Sequence, residues 1–132
     1  MCMAAAHGEL LPQNILIDKS RAGIVDFDSY KTQAPVYRDV STLLAYLKLL
    51  ASKGKYSRKA LETYSSDSFV SGYDGSLNLD LLRLFMVNAM LKLIHERPPR
   101  FLKADLRIVE EVLTNPTSCS QSLELLTHSP FR

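Results

Sequence analysis

The chain has 132 residues, of which 46% are hydrophobic and 23% are charged. This length and composition are typical of one globular domain spanning residues 1–132, and they exclude intrinsic disorder and a collagen-like chain. The net charge of +2 is too small to indicate a nucleic-acid or membrane partner through a long-range field.

Neither the cysteines nor the apolar stretches indicate export or membrane insertion. Cys2 and Cys119 lack metal-ligand spacing, and two cysteines make no disulfide framework in a chain of this size. No apolar run reaches the roughly 18 to 20 residues needed to span a bilayer. The short apolar start lacks the basic region of a signal peptide. We therefore expect a cytoplasmic protein that partners neither a membrane nor a nucleic acid.

The first regular element predicted along the chain is a β-hairpin. Its strands are two β-rich runs at residues 14–17 and 24–27, and the polar residues 18–23 between them are typical of a turn. Helices are predicted over the rest of the chain, residues 37–132. The expected class is therefore mainly α with a short β-hairpin, an α+β fold.

Two helices are predicted directly after the hairpin. Apolar residues recur at helical spacing from Val40 to Ala51, which predicts an amphipathic helix ending near Gly54. A second helix is expected to begin at Ser57, which can cap it, and to run towards Tyr73.

The remaining predicted helices lie in the second half of the chain. The third begins near Asn78 and is apolar nearly all round, so we expect it to be buried at the centre of the domain. Prolines at positions 98 and 99 end it. A fourth is marked by Leu106, Val109 and Leu113, and a short fifth is expected after Ser118.

Oxygen-bearing side chains flank the predicted hairpin. Asn14 stands where the first strand begins, and Asp26 stands near the end of the second. Hairpin geometry can bring these two positions to one edge, and an amide and a carboxylate there suit Mg²⁺, which prefers a few protein oxygens plus water and substrate phosphates. Glu9, in the loop just upstream, would then face whatever the metal holds. This is the logic of phosphoryl transfer, in which a loop acid orients the attacking hydroxyl.

These residues lie in segments that resemble a known family. Residues 7–16, HGELLPQNIL, are similar to the H-G-D-x-x-x-x-N catalytic loop of the aminoglycoside phosphotransferases and choline kinases, and residues 24–28, IVDFD, resemble their metal-binding strand. Residues 37–40, YRDV, resemble the family's Y-D-L/V segment, with Arg38 inserted or substituted, and residues 69–73, FVSGY, resemble its F-x-x-G-Y. The resemblance is specific over residues 7–45 and general after that.

The resemblance implies a fold, an activity and residue roles. The fold would be the C-terminal lobe of a protein-kinase-like fold, and the activity would be transfer of the γ-phosphoryl group of ATP to a hydroxyl of a small-molecule acceptor. Glu9 takes the position of the catalytic base, and Asn14 and Asp26 take those of the ligands of Mg²⁺ and, through it, of ATP. His7 would brace the loop, and Asp39 would hydrogen-bond its backbone.

The chain departs from the family's pattern in two ways. The family has Asp where this chain has Glu9, and the extra methylene moves the carboxylate by about 1 Å, which can cost on the order of 100-fold in rate. Upstream of His7 there is no glycine-rich loop and no strand lysine paired with a helix glutamate, so the nucleotide-binding N-lobe is expected to be absent from this chain. Asp28 is a further candidate at the metal.

Three interpretations stay open. The chain is a truncated kinase, whose interlobe surface a missing N-lobe or a partner chain would cover. Alternatively, it is an inactive pseudokinase fragment that acts as a helical interaction module, or its true start lies one lobe earlier. The acceptor is equally open among an aminoglycoside, choline, a sugar and a protein side chain.

Overall fold

The computed structural model describes residues 3–51 and 77–114. Within these ranges the chain forms two small antiparallel sheets and three α-helices. The strands are β1 (Met3–Ala6), β2 (Ile15–Asp18), β3 (Arg21–Ile24) and β4 (Lys31–Pro35). The helices are α1 (Tyr37–Ala51), α2 (Leu79–His95) and α3 (Leu102–Thr114), and short 3₁₀ turns lie at Pro12–Asn14 and Pro99–Phe101. This small α+β domain is consistent with the predicted class and contains one sheet more than expected.

The predicted hairpin is present, with a tighter turn. Strands β2 and β3 pair in register from Ile15 opposite Ile24 to Asp18 opposite Arg21, which leaves only two residues in the turn. Lys19 takes a positive φ of 49°, as tight hairpin turns require at one or both of their central positions. Strand β3 ends at Ile24, so the prediction that residues 25–27 form part of the second strand is wrong.

The second sheet was not predicted, and it positions the loop of interest. Strand β1 pairs with β4 from Met3 opposite Pro35 to Ala6 opposite Lys31, with an irregularity between Ala4 and Ala6. The segment after β1 is thereby brought beside the chain that leads into α1. Residues 7–30, which include the β2–β3 hairpin, form one excursion between the two paired strands.

Helix α1 packs mainly against α2, which in turn packs against α3. One apolar cluster joins the start of α1 to the start of α2 and contains Tyr37, Val40, Leu44, Leu82 and Met86. A second cluster joins all three helices farther along and contains Ala45, Leu49, Ala89, Met90, Ile94, Val109 and Val112. The first cluster fixes the opening turn of α1, the turn that faces the loop after β1.

Helix α2 begins where the sequence predicts but is buried on one face only. The Asn78 side chain accepts a hydrogen bond of 3.0 Å from the Leu81 amide, as an N-cap residue does. As expected, α2 lies at the centre of the helices that the structure describes, since it packs against both α1 and α3. Leu84 and Leu91 lie outside its buried face and are 61% and 49% exposed.

Helix α3 buries a different set of side chains from the one predicted. Val109 is buried as expected, but Leu106 and Leu113 are about half exposed, and Val112 and Asp105 take their place in the interior. The predicted helix after Ser57 and the predicted fifth helix after Ser118 lie outside the described residues. Across the described ranges, no helix combines the length and the apolar character needed to cross a membrane.

Candidate functional site

The loop that follows β1 is held by the first turn of α1. The Asp39 carboxylate accepts two hydrogen bonds, from the His7 amide at 2.7 Å and from the Gly8 amide at 2.8 Å. Hydrogen bonds to an ionised carboxylate are stronger than those between neutral groups. The residue expected to support the loop therefore contacts its backbone at two consecutive amides.

The backbone around Glu9 is fixed, whereas its side chain is exposed. The Glu9 amide donates to His7 Nδ1 at 3.4 Å, and the Glu9 carbonyl accepts a hydrogen bond of 3.0 Å from Asn14 Nδ2. Leu10 and Leu11 are buried and anchor the chain between Glu9 and Asn14. The Glu9 side chain is thus exposed to solvent, while its backbone amide and carbonyl are both hydrogen-bonded.

His7 joins this loop to the residues around Asp26. Its Nε2 lies 2.8 Å from the Val25 carbonyl, and its ring lies 4.7 Å from the Phe27 ring between centroids. One tautomer satisfies both ring nitrogens, because a proton on Nε2 can be donated to Val25 while Nδ1 accepts from the Glu9 amide. The buried imidazole therefore contacts both neighbours of Asp26, the backbone of Val25 and the ring of Phe27.

Asn14 and Asp26 lie at the open end of the hairpin. The Val25 amide donates to the Asn14 carbonyl at 3.0 Å, which extends the β2–β3 ladder by one pair, and Asp26 is the next residue. Asp26 has a φ of 65°, in the left-handed region that few residues other than glycine adopt. Its side chain is exposed, as is that of Asp28.

Gly8 packs closely against the turn that follows Asp26. A Cβ placed on Gly8, whose φ is +92°, would lie 2.0 Å from the Ser29 carbonyl oxygen. That turn is closed by a hydrogen bond of 3.0 Å from the Tyr30 amide to the Phe27 carbonyl. The loop and the turn thus approach each other more closely than any side chain at position 8 would allow.

The donor set of the site suits a hard cation that keeps other ligands. Asn14 Nδ2 is occupied by the Glu9 carbonyl, which leaves the amide oxygen as the coordinating atom, and Asp26 supplies an exposed carboxylate. In the part of the chain that the structure describes, no three His, Cys, Asp or Glu side chains cluster as a metal cage would. Mg²⁺ is commonly held by one or two carboxylates together with substrate phosphates and water, so these residues fit it.

Arg38 also contacts the loop, a role that the sequence did not indicate. Its Nε and Nη2 atoms both lie 3.4 Å from the Gly8 carbonyl oxygen. The only available signal was its position beside Asp39 in the first turn of the helix, where a neighbour of a loop-binding residue can reach the same loop.

Replacing Asp39 by alanine should destabilise the domain by about 2–4 kcal/mol, because two amides would lose a charged acceptor and the His7 amide is buried. Urea unfolding measures this change. Asp28→Asn, which removes an exposed carboxylate nearby, should shift the free energy of unfolding by no more than about 0.5 kcal/mol. Equal effects of the two substitutions would contradict the role of Asp39 in holding the loop.

The site thus combines an exposed carboxylate on a fixed loop with an amide oxygen and a second carboxylate at the end of a hairpin. These come from Glu9, Asn14 and Asp26, and the supporting contacts come from His7 and Asp39. Comparisons with models of protein families, with curated proteins and with solved structures found no match for this chain. Its chemistry is therefore inferred from its own residues.

Proposed function

We propose that this chain is an ATP-dependent phosphotransferase related to the aminoglycoside phosphotransferases and choline kinases, and that it carries a site for Mg²⁺–ATP. The observation that supports this most directly is the position of His7. From one buried ring it contacts the loop that presents Glu9 and both neighbours of Asp26, through the Val25 carbonyl and the Phe27 ring. One side chain thereby ties the proposed base to the proposed metal ligand.

Each residue of the site has a defined task in this proposal. The Asn14 amide oxygen and the Asp26 carboxylate bind Mg²⁺, and the bound ion neutralises charge on the phosphates of ATP. The Glu9 carboxylate accepts the proton of the acceptor hydroxyl as that oxygen attacks the γ-phosphorus and the bond to the leaving ADP oxygen breaks. Phosphoryl transfer depends on such positioning and charge neutralisation more than on covalent catalysis.

The backbone contacts supply the rigidity that this chemistry needs. Misplacement of a reacting group by about 1 Å can cost on the order of 100-fold in rate. Glutamate at position 9 is longer than the aspartate of the family, so the loop must sit farther from the acceptor to reach the same proton. The Glu9 amide donates a hydrogen bond to His7, and the Glu9 carbonyl accepts one from Asn14; together they fix where that longer side chain starts.

A second candidate function is that of an interaction module without catalysis. The hairpin favours it, because Leu16, Ile17 and Ile24 are 58%, 78% and 45% exposed. Apolar side chains grouped on one small element are typical of surfaces that bind another protein segment. Binding of Mg²⁺–ATP separates the two functions.

Isothermal titration calorimetry of the full chain with ATP, in the presence and absence of Mg²⁺, tests the proposal. We expect saturable binding that requires Mg²⁺ and that Asp26→Asn weakens by about 100-fold or more, since even outer partners of metal ligands are worth about 10- to 100-fold. Asp18→Asn, which removes an exposed carboxylate at the turn end of the hairpin, is the matched control and should leave the affinity unchanged. A chain that binds no ATP with Mg²⁺ would favour the interaction module.

A second substitution at the same position separates lost binding from lost folding. Asp26→Gly also removes the carboxylate, but glycine adopts the positive φ of this position without steric cost. We expect its free energy of unfolding to stay within about 1 kcal/mol of wild type while the affinity for Mg²⁺–ATP falls as in Asp26→Asn. Retained affinity in this variant would exclude Asp26 as a metal ligand.

A further inference from the structure

Arg38 donates to the loop at the Gly8 carbonyl, whereas Asp39 accepts from the loop's amides and Asn14 donates to the Glu9 carbonyl. Its Nε and Nη2 atoms both approach the Gly8 carbonyl oxygen at 3.4 Å. These two donors belong to one rigid guanidinium plane, so together they restrain the direction of the carbonyl bond more than a single donor would.

The peptide unit that carries this carbonyl is free to rotate unless it is held. It joins Gly8 to Glu9, and glycine populates the backbone conformations on either side of a peptide rotation at little cost. The carbonyl end of the unit contacts Arg38, and its amide end donates to His7 Nδ1. Rotation of this peptide unit would break both contacts. The backbone of Glu9, the proposed base, would then no longer be held in one orientation.

The base of the Arg38 side chain is itself fixed. The Arg38 carbonyl accepts hydrogen bonds from Ser41 Oγ at 2.9 Å and from Thr42 Oγ1 at 2.8 Å, and Ser41 is buried. Tyr37, the preceding residue, accepts a hydrogen bond of 3.0 Å at its hydroxyl from the Asn78 amide and stacks on Phe85. The guanidinium therefore extends from a turn anchored in the helical core.

We propose that Arg38 is a positioning residue, which fixes the Gly8–Glu9 peptide plane and through it the Glu9 carboxylate. This role rests on the proposed phosphotransferase function, because it assigns Arg38 a part in that reaction. Arg38 touches neither ATP nor the acceptor in this scheme. It acts on the loop, and the loop acts on the reacting groups.

Amide hydrogen exchange of the full-length chain, followed by NMR, tests the contact directly. Arg38→Met keeps the aliphatic stem and removes the donors. We expect the Glu9 amide to exchange about tenfold faster relative to the Gly8 amide, which stays bonded to Asp39. Arg38→Lys keeps the charge but offers one nitrogen in place of the two that reach the Gly8 carbonyl, so it should restore part of the protection.

Arg21→Met is the matched control. It removes the same charge from an exposed side chain beside the hairpin turn, at the opposite end of the ladder from Asn14. Exchange at Glu9 should then be unchanged. An Arg38→Met chain whose Glu9 amide exchanges at the wild-type rate would overturn the proposal.

A kinetic measurement connects the contact to the reaction. With Mg²⁺, ATP and water as the acceptor, Arg38→Met should lower kcat by about 10- to 100-fold and leave the KM for ATP unchanged, with partial rescue in Arg38→Lys. Faster exchange at Glu9 with an unchanged kcat would overturn the positioning role. Should the wild-type chain bind no Mg²⁺–ATP by calorimetry, the proposed function fails, whereas the exchange data still decide whether Arg38 holds the loop.

Discussion

Replacing Gly8 by alanine should destabilise the domain by at least about 3 kcal/mol and abolish binding of Mg²⁺–ATP. The new Cβ would lie 2.0 Å from the carbonyl oxygen of Ser29 and 2.8 Å from its carbonyl carbon. Both are backbone atoms, which cannot move aside as a flexible side chain can. The loop at Gly8 and the turn at Ser29 must then move apart. This movement would also break the ring contact between His7 and Phe27. Urea unfolding and calorimetry measure the two effects.

Two other glycine substitutions identify the cause of that loss. Gly23 lies in β3 with nothing within 4 Å of an added Cβ, so Gly23→Ala should be neutral or should stabilise the domain by roughly 0.4–1 kcal/mol. Asparagine tolerates positive φ better than alanine but carries the same Cβ. Gly8→Asn should therefore be as harmful as Gly8→Ala. A clearly milder Gly8→Asn would show that backbone strain, and not the close approach to Ser29, requires glycine.

The helices of the described region were predictable because their signals are local. The apolar spacing from Val40 onward, the cap at Asn78 and the prolines at positions 98 and 99 each act within a turn or two of their own position. The β1–β4 sheet has no such signal. Three of the four residues of β1 are alanine, which favours helices over strands, and only pairing with β4 makes the segment extended.

The site shows the same division between local and distant contacts. Residues close in sequence were enough to infer a hairpin between Asn14 and Asp26, with Glu9 in the loop just before it. The contacts that fix them could not be, since His7 and Asp39 are 32 residues apart and Gly8 and Arg38 are 30 apart. Asp26 was predicted near the end of the second strand. Because the turn at Lys19 is tighter than predicted, Asp26 lies beyond the end of β3, where it takes a positive φ.

Asp105 is the buried charge that the sequence gave no reason to expect. It lies in the first turn of α3 at 0% exposure, on the same face as Val109 and Val112. Its Oδ1 accepts a hydrogen bond of 2.9 Å from Arg97 Nη1, which also lies 3.3 Å from the Leu49 carbonyl near the end of α1. An anion at a helix N-terminus and a cation at a helix C-terminus are both favourable. Through these two contacts, Arg97 links the N-terminus of α3 to the C-terminal end of α1.

Breaking this pair from either side should cost about 3–5 kcal/mol of stability, because the remaining charge would stay in the interior without the opposite charge of the pair. Asp105→Leu and Arg97→Met are the variants, and urea unfolding followed by circular dichroism is the measurement. The double variant should lose far less than the sum, since a buried ion pair replaced by apolar side chains of similar volume is often neutral or stabilising.

The pair between Arg83 and the exposed Asp80 is the control for this cycle. Its atoms lie 3.5 Å apart, and the Asp80 side chain is 88% exposed, so Asp80→Asn should change the free energy of unfolding by no more than about 0.5 kcal/mol. Additive losses in Arg97→Met and Asp105→Leu would contradict the coupling. A coupling of several kcal/mol, with wild-type affinity for Mg²⁺–ATP in the double variant, would show that this charge pair stabilises the helical core independently of the loop that carries Glu9.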